Sequence, residues 1–225
     1  MSVTLPKAYF QFLKELKANN HKDWMDAHKA EYKRLEKEFK HFCEDTKNQL
    51  NDFDDIERAK VFRINRDIRF SKNKMPYKTN RGAIFSRSGV HRRGSFYFQM
   101  APGASFAGGG FFQPEPADLL RIRKEFELDA EPIRNILNQP DFKRVYGGFN
   151  TESQVKTAPK GFGKEDPNID LIRNKNFYVT HKYTDAEVLA EDFQEQLLAH
   201  FKLLMPFFDH MSEILTTDLN GESII

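Results

Sequence analysis

The densest run of chemically able side chains is Arg66-Asp67-Ile68-Arg69-Phe70-Ser71-Lys72-Asn73-Lys74-Met75-Pro76-Tyr77-Lys78. Arginine offers a planar fork of donors and lysine a mobile point charge, so the mixture suits a phosphate or carboxylate group. We read Arg63, Arg66, Arg69, Lys74 and Lys78 as anion-binding candidates. Asp67 would orient one guanidinium or act as a base, and Tyr77 with Lys78 would close over the bound group. His28 is a further acid–base candidate, because an imidazole titrates near neutral pH. Its competing reading is a helix-face residue packed beside Trp24 and Tyr32. The catalytic candidates are therefore Asp67, His28 and Tyr77, and the alternative for the whole run is a solvated or internally neutralised basic loop.

Charge distribution sharpens this reading. The 225-residue chain carries 35 Lys+Arg against 33 Asp+Glu, a formal charge of only +2. Yet residues 58–93 hold twelve basic residues and Asp67 as their one acid, a local charge of +11 against −9 for the remainder. Such asymmetry predicts a positive field that concentrates anions. On a regular strand over VFRINRDIRF, Phe62, Ile64, Arg66, Ile68 and Phe70 would share one face. A guanidinium in that apolar file is costly unless a carboxylate or ligand pairs with it, or a bulge at Arg66-Asp67 turns the chain.

Other constellations carry less. The seven histidines show no H-x-x-x-H spacing, and a single cysteine, Cys43, supplies no pair, so no metal site is expected. Gly108-Gly109-Gly110 lacks the spacing of a phosphate-binding loop; it reads as a bulge or a close backbone approach, with one wall of the site as the alternative. No G-x-S-x-G is present, which leaves serine-hydrolase chemistry without support.

The elements that must position these groups follow from periodicity. Apolar residues at helical spacing run from Leu5 to about Gln49, broken at Ala18-Asn19-Asn20, which predicts two antiparallel helices. Alternating stretches VFRINRDIRF, GAIFSR, SFYFQM and SFAGGGFF predict a meander, with a tight connection at Ala101-Pro102-Gly103. Helices are expected behind Pro116 and from Glu131 to Asn138, loop over 141–175, a return strand at NFYVTHKY, and C-terminal helices from Asp185 interrupted by Pro206. The expected fold is α+β, an antiparallel sheet of four to five strands packed against N-terminal and C-terminal helices. We expect one domain over 1–225: a helical N-terminal region over 1–52, a basic sheet over 58–113, helices, loop and return strand over 114–183, and helices over 185–217. With no apolar run of membrane length and no signal-peptide pattern at the start, the expected setting is the cytoplasm.

Residues 66–78 resemble the pattern R-D-x-R-F-S-x-x-K-x-P-Y-K of a widespread microbial family catalogued as domain of unknown function twenty-four sixty-one. FLKELKANNHKDWMDAHKAEY, YFQMAPGASFAGGGFFQPEPADLLRIR, KTAPKGF and DPNIDLIRNKNF agree with it, so the resemblance covers about Tyr9 to Phe177. Where the family commonly has a histidine before proline, this chain has Asp166-Pro167. The resemblance implies a single-domain protein and no established activity.

Two function classes follow, with a third behind them. One is a binder of an anionic small molecule, or an enzyme acting on one, with a concave pocket. Another is a nucleic-acid module in which residues 58–93 track phosphates while Phe70, Tyr77, Phe96 or Tyr97 stack on bases; a sequence pI near 8.5 lies below that of dedicated binders. The third is a scaffold whose charges satisfy one another. No cofactor and no oligomeric state is specified by these residues.

Overall fold

The helices form where the apolar stripes are. In the computed structural model, which describes residues 3–218 and 221–225, α1 spans Lys7–Ala18 and buries Tyr9, Phe10, Phe12, Leu13 and Leu16. The long second helical stretch divides at His28 into α2 (Lys22–Ala27) and α3 (Lys29–Leu50). His21 caps the start of α2 by accepting from the Trp24 amide. On α3 the buried residues Leu35, Phe39, Phe42, Thr46 and Leu50 recur every three or four positions, one face of the helix.

Five strands follow in the order β1-β2-β3-β4-β5, an antiparallel meander: β1 Ile56–Val61, β2 Arg81–Arg87, β3 Ser95–Met100, β4 Ser105–Phe111 and β5 Phe177–Tyr183. The fold is α+β, as expected. On β3 the alternation is complete, with Phe96, Phe98 and Met100 buried and their neighbours less so. The β3–β4 connection is the tight turn the sequence suggests, closed by the Ala104 amide on the Ala101 carbonyl with Gly103 at positive φ. After β4 come α4 (Pro116–Leu128), α5 (Glu131–Leu137), α6 (Pro140–Tyr146) and α7 (Ile169–Ile172); after β5 come α8 (Asp185–Val188), α9 (Phe193–Lys202) and α10 (Met205–Thr216). Pro116, Pro140 and Pro206 each open a helix, where a missing N–H costs nothing. Pro140 thus starts a helix that runs to Tyr146, into the segment 141–175 expected as loop.

The chain resolves into two compact units. The first comprises residues 1–86, 97–107 and 182–199, and its core is aromatic: Phe42 lies against Phe98 and Phe193, and Phe39 against Tyr9 and Phe98. The second comprises residues 87–96, 108–181 and 200–225, with Phe96 packed on Phe201 and Phe208. In that unit a Cβ at Gly108 or Gly110 would collide with the carbonyl oxygen of Val179 or Phe177. The glycine run is therefore a close approach of β4 and β5 backbones.

The strand predicted over VFRINRDIRF stops at Val61, and beyond it residues 62–80 leave the sheet. The excursion has a narrow neck, where Asn65 bridges Tyr77, the Arg66 amide donates to the Pro76 carbonyl and the Lys78 amide to the Ile64 carbonyl. A regular strand would have placed Arg66 in an apolar file. Leaving the ladder instead lets its guanidinium donate to the Met75 carbonyl and Ser71 hydroxyl, while Pro76 has no N–H with which to extend a ladder.

Candidate anion site

A cavity of about 560 Å³ opens between α3 and residues 61–65, all within the first unit. Lys33, Lys37 and Lys40 line it from the helix, together with Tyr32 and Glu36, and Arg63 lines it from the opposite side. Intervals of four and three residues bring the three lysines to one side of α3, away from the buried stripe. Among the described residues no carboxylate forms an ion pair with any of these four cations.

Glu36, the one acid on the wall, is committed elsewhere. Arg81 is fully buried and grips it with two prongs, Nε to Oε2 at 2.9 Å and Nη2 to Oε1 at 2.6 Å, while the Tyr9 hydroxyl donates to the same Oε2 at 2.8 Å. Burial opposes the Arg81 charge, but the Glu36 carboxylate gripped in two bonds keeps the guanidinium protonated. Burial likewise raises the Tyr9 and Tyr32 phenols, so both stay protonated. Arg81 Nη1 has no hydrogen-bond partner. Nearby, burial first, and then the Arg81 and Arg63 charges, lower the Lys78 ammonium. Its Nζ sits 5.4 Å above the Phe62 ring.

The residues singled out in the sequence distribute as follows. Asp67 and Arg69 meet in a fork, 3.0 and 2.6 Å, on an exposed stretch of the excursion, and this bond holds the Asp67 carboxyl below its usual range. Arg66 and Lys74 brace the loop, Lys74 donating to the Ile68 carbonyl at 3.0 Å. Tyr77 is held by its backbone, its amide and carbonyl both bonded to the Asn20 side chain at 3.0 Å; burial, then Asp26, raises its phenol. His28 stacks on Trp24 with ring centroids 4.0 Å apart, and its Nδ1 lies 2.8 Å from the Trp24 carbonyl. Asp67, His28 and Tyr77 thus serve three separate local networks, and Arg63 is the anion candidate that reaches the cavity. Of the remaining cations in the basic segment, Arg87 pairs with Asp209 and Arg93 with Asp118, both in the second unit.

Sequence reasoning missed Lys33, Lys37 and Lys40, whose signal is a helical period among charged rather than apolar residues. It also missed the Glu36–Arg81 pair, whose members lie 45 positions apart and leave no local trace. No group of histidine, cysteine, aspartate and glutamate suited to a metal ion occurs among the described residues, and no helix there is long and apolar enough to cross a membrane.

The chain belongs to the family described as conserved hypothetical protein (DUF2461), whose sequence model matches residues 8–210. No curated protein and no solved structure matches it.

Proposed function

We propose that the protein binds an anionic, phosphate- or carboxylate-bearing ligand in the cavity between α3 and residues 61–65. The observation that carries this reading is the set of four cations, Lys33, Lys37, Lys40 and Arg63, unpaired among the described residues and set around a concavity whose acid is already held by Arg81. Like charges gathered around one concavity repel one another, so an anion between them relieves that repulsion as well as making its own bonds. Arg69 contributes less than its motif suggests, because Asp67 already satisfies it. The buried free thiol of Cys43 fits a reducing, cytoplasmic setting.

A thermal-shift series with inorganic phosphate, tripolyphosphate and citrate tests the reading. A ligand that binds only the native state raises Tm with its concentration. The expected result is a shift that is largest for the most highly charged anion and is lost in Arg63→Ala and Lys37→Ala. Equal shifts in wild type and both variants would place anion binding elsewhere and defeat the proposal.

A further inference from the structure

Phe70 is 97% exposed, at the far end of an excursion that is internally tied down. Arg69 and Asp67 close one side, Arg66 and Lys74 bond carbonyls across it, and the Met75 amide donates to Asn73 Oδ1. A phenylalanine left in water forgoes the favourable burial of its ring. Here the loop is built to hold it there, flanked by Arg69, Lys72 and Lys74.

We propose that the anion is the phosphate backbone of a single-stranded nucleic acid, and that Phe70 is the platform on which one of its bases stacks. The inference rests on the anion-site reading above and adds the identity of the ligand. Proteins that hold single strands combine a cationic groove for the backbone with exposed rings for the bases. One excursion carries both features: Arg63 and Asn65 line the cavity at the neck, and the exposed Phe70 follows in the same stretch of chain, between the bridged Asn65 and Tyr77. A duplex keeps its bases stacked and offers no free face to such a ring. An anionic bilayer is the competing occupant for a bare aromatic among lysines. It suits the observations less, because Lys33, Lys37, Lys40 and Arg63 line a concavity that a flat lipid surface does not enter.

Fluorescence anisotropy of labelled oligothymidylate and oligouridylate, between about 50 and 200 mM salt, tests this on the full chain. The wild type is expected to bind with a negative salt slope. Phe70→Ala should weaken binding roughly tenfold with the slope unchanged, and Phe70→Trp should restore it. Arg63→Ala and Lys37→Ala should each reduce the slope by about 0.7. Phe70 is exposed, so its variants should keep the wild-type Tm, and that is measured alongside. Unchanged oligonucleotide affinity in Phe70→Ala would overturn the inference. So would the absence of oligonucleotide binding while tripolyphosphate still shifts Tm through Arg63; that result leaves the anion site standing with a small ligand. Failure of both probes removes both readings. Phe70-dependent cosedimentation with phosphatidylserine vesicles, without oligonucleotide binding, overturns the inference in favour of a lipid surface.

Discussion

Arg81 and Glu36 form a two-pronged ion pair, 2.9 and 2.6 Å, in which the arginine side chain is wholly buried and the glutamate side chain is 13% exposed. The pair fastens α3 to the start of β2 and, through Glu36, sets the wall of the cavity. Burying two charges is expensive, and their attraction repays that cost only while both are present.

Removing one partner should therefore be severe. Glu36→Gln leaves an uncompensated guanidinium in the core and should cost about 3 kcal/mol or more in urea unfolding. Replacing both, as Glu36→Leu with Arg81→Met, should recover most of that loss, since the stranded charge is gone. If the double variant is as unstable as the two single changes added together, the two residues do not act as a coupled unit.

The Asn20 side chain holds both backbone groups of Tyr77 and so anchors the neck of the basic excursion to the α1–α2 connection. Asn20→Ala strips two bonds at once and should cost about 2 kcal/mol. Asn20→Asp keeps the acceptor for the Tyr77 amide but sets a second carboxylate oxygen against the Tyr77 carbonyl in place of the donor, so it should not recover the stability lost in Ala. Hydrogen exchange provides the local check: the Arg66 and Lys78 amides, which bridge the neck, should lose protection in Asn20→Ala.

The meander, the turn at Ala101-Pro102-Gly103 and the helix opening at Pro116 were legible because each depends on neighbours in sequence, whereas Pro206, read as an interruption, lies in the first turn of α10. Phe96, Phe98 and Met100 alternate, and alternation is visible without coordinates. The excursion over 62–80 was half legible. Arg66 in an apolar file signalled a conflict, and the conflict is resolved by leaving the sheet, a solution that depends on Met75, Ser71 and Asn20. The cavity was legible only through Arg63, because its other wall is a charged stripe on α3. The charge count over 58–93 could not tell which cations meet carboxylates from distant segments, as Arg81, Arg87 and Arg93 do.

Asp67 and Arg69 satisfy each other in the open, and exposed pairs of this kind contribute little to stability. Asp67→Asn should leave Tm unchanged in the absence of ligand. It releases the Arg69 guanidinium and adds one unit of positive charge to the excursion, so anion or oligonucleotide affinity should rise at low salt and the gain should fade as salt increases. A loss of affinity would instead show that Asp67 serves by presenting Arg69 in a fixed pose.

In the second unit, burial first, and then Asp129 and Glu213, raise the carboxyl of Glu125 above its usual range. A carboxyl whose pKa is higher in the folded state than in the unfolded chain binds its proton more tightly when folded. Its favourable contribution is complete below the unfolded value of about 4.3 and is lost as pH rises through the folded value. Ionising Glu125 in the native state is opposed by burial and by the charges of Asp129 and Glu213. Glu125→Gln removes the Glu125 charge and keeps the shape, so it should raise Tm at pH 7, and the advantage should shrink steadily as pH is lowered towards 4. Tm–pH curves for wild type and variant that run parallel across this range would show that Glu125 titrates alike in the folded and unfolded chain.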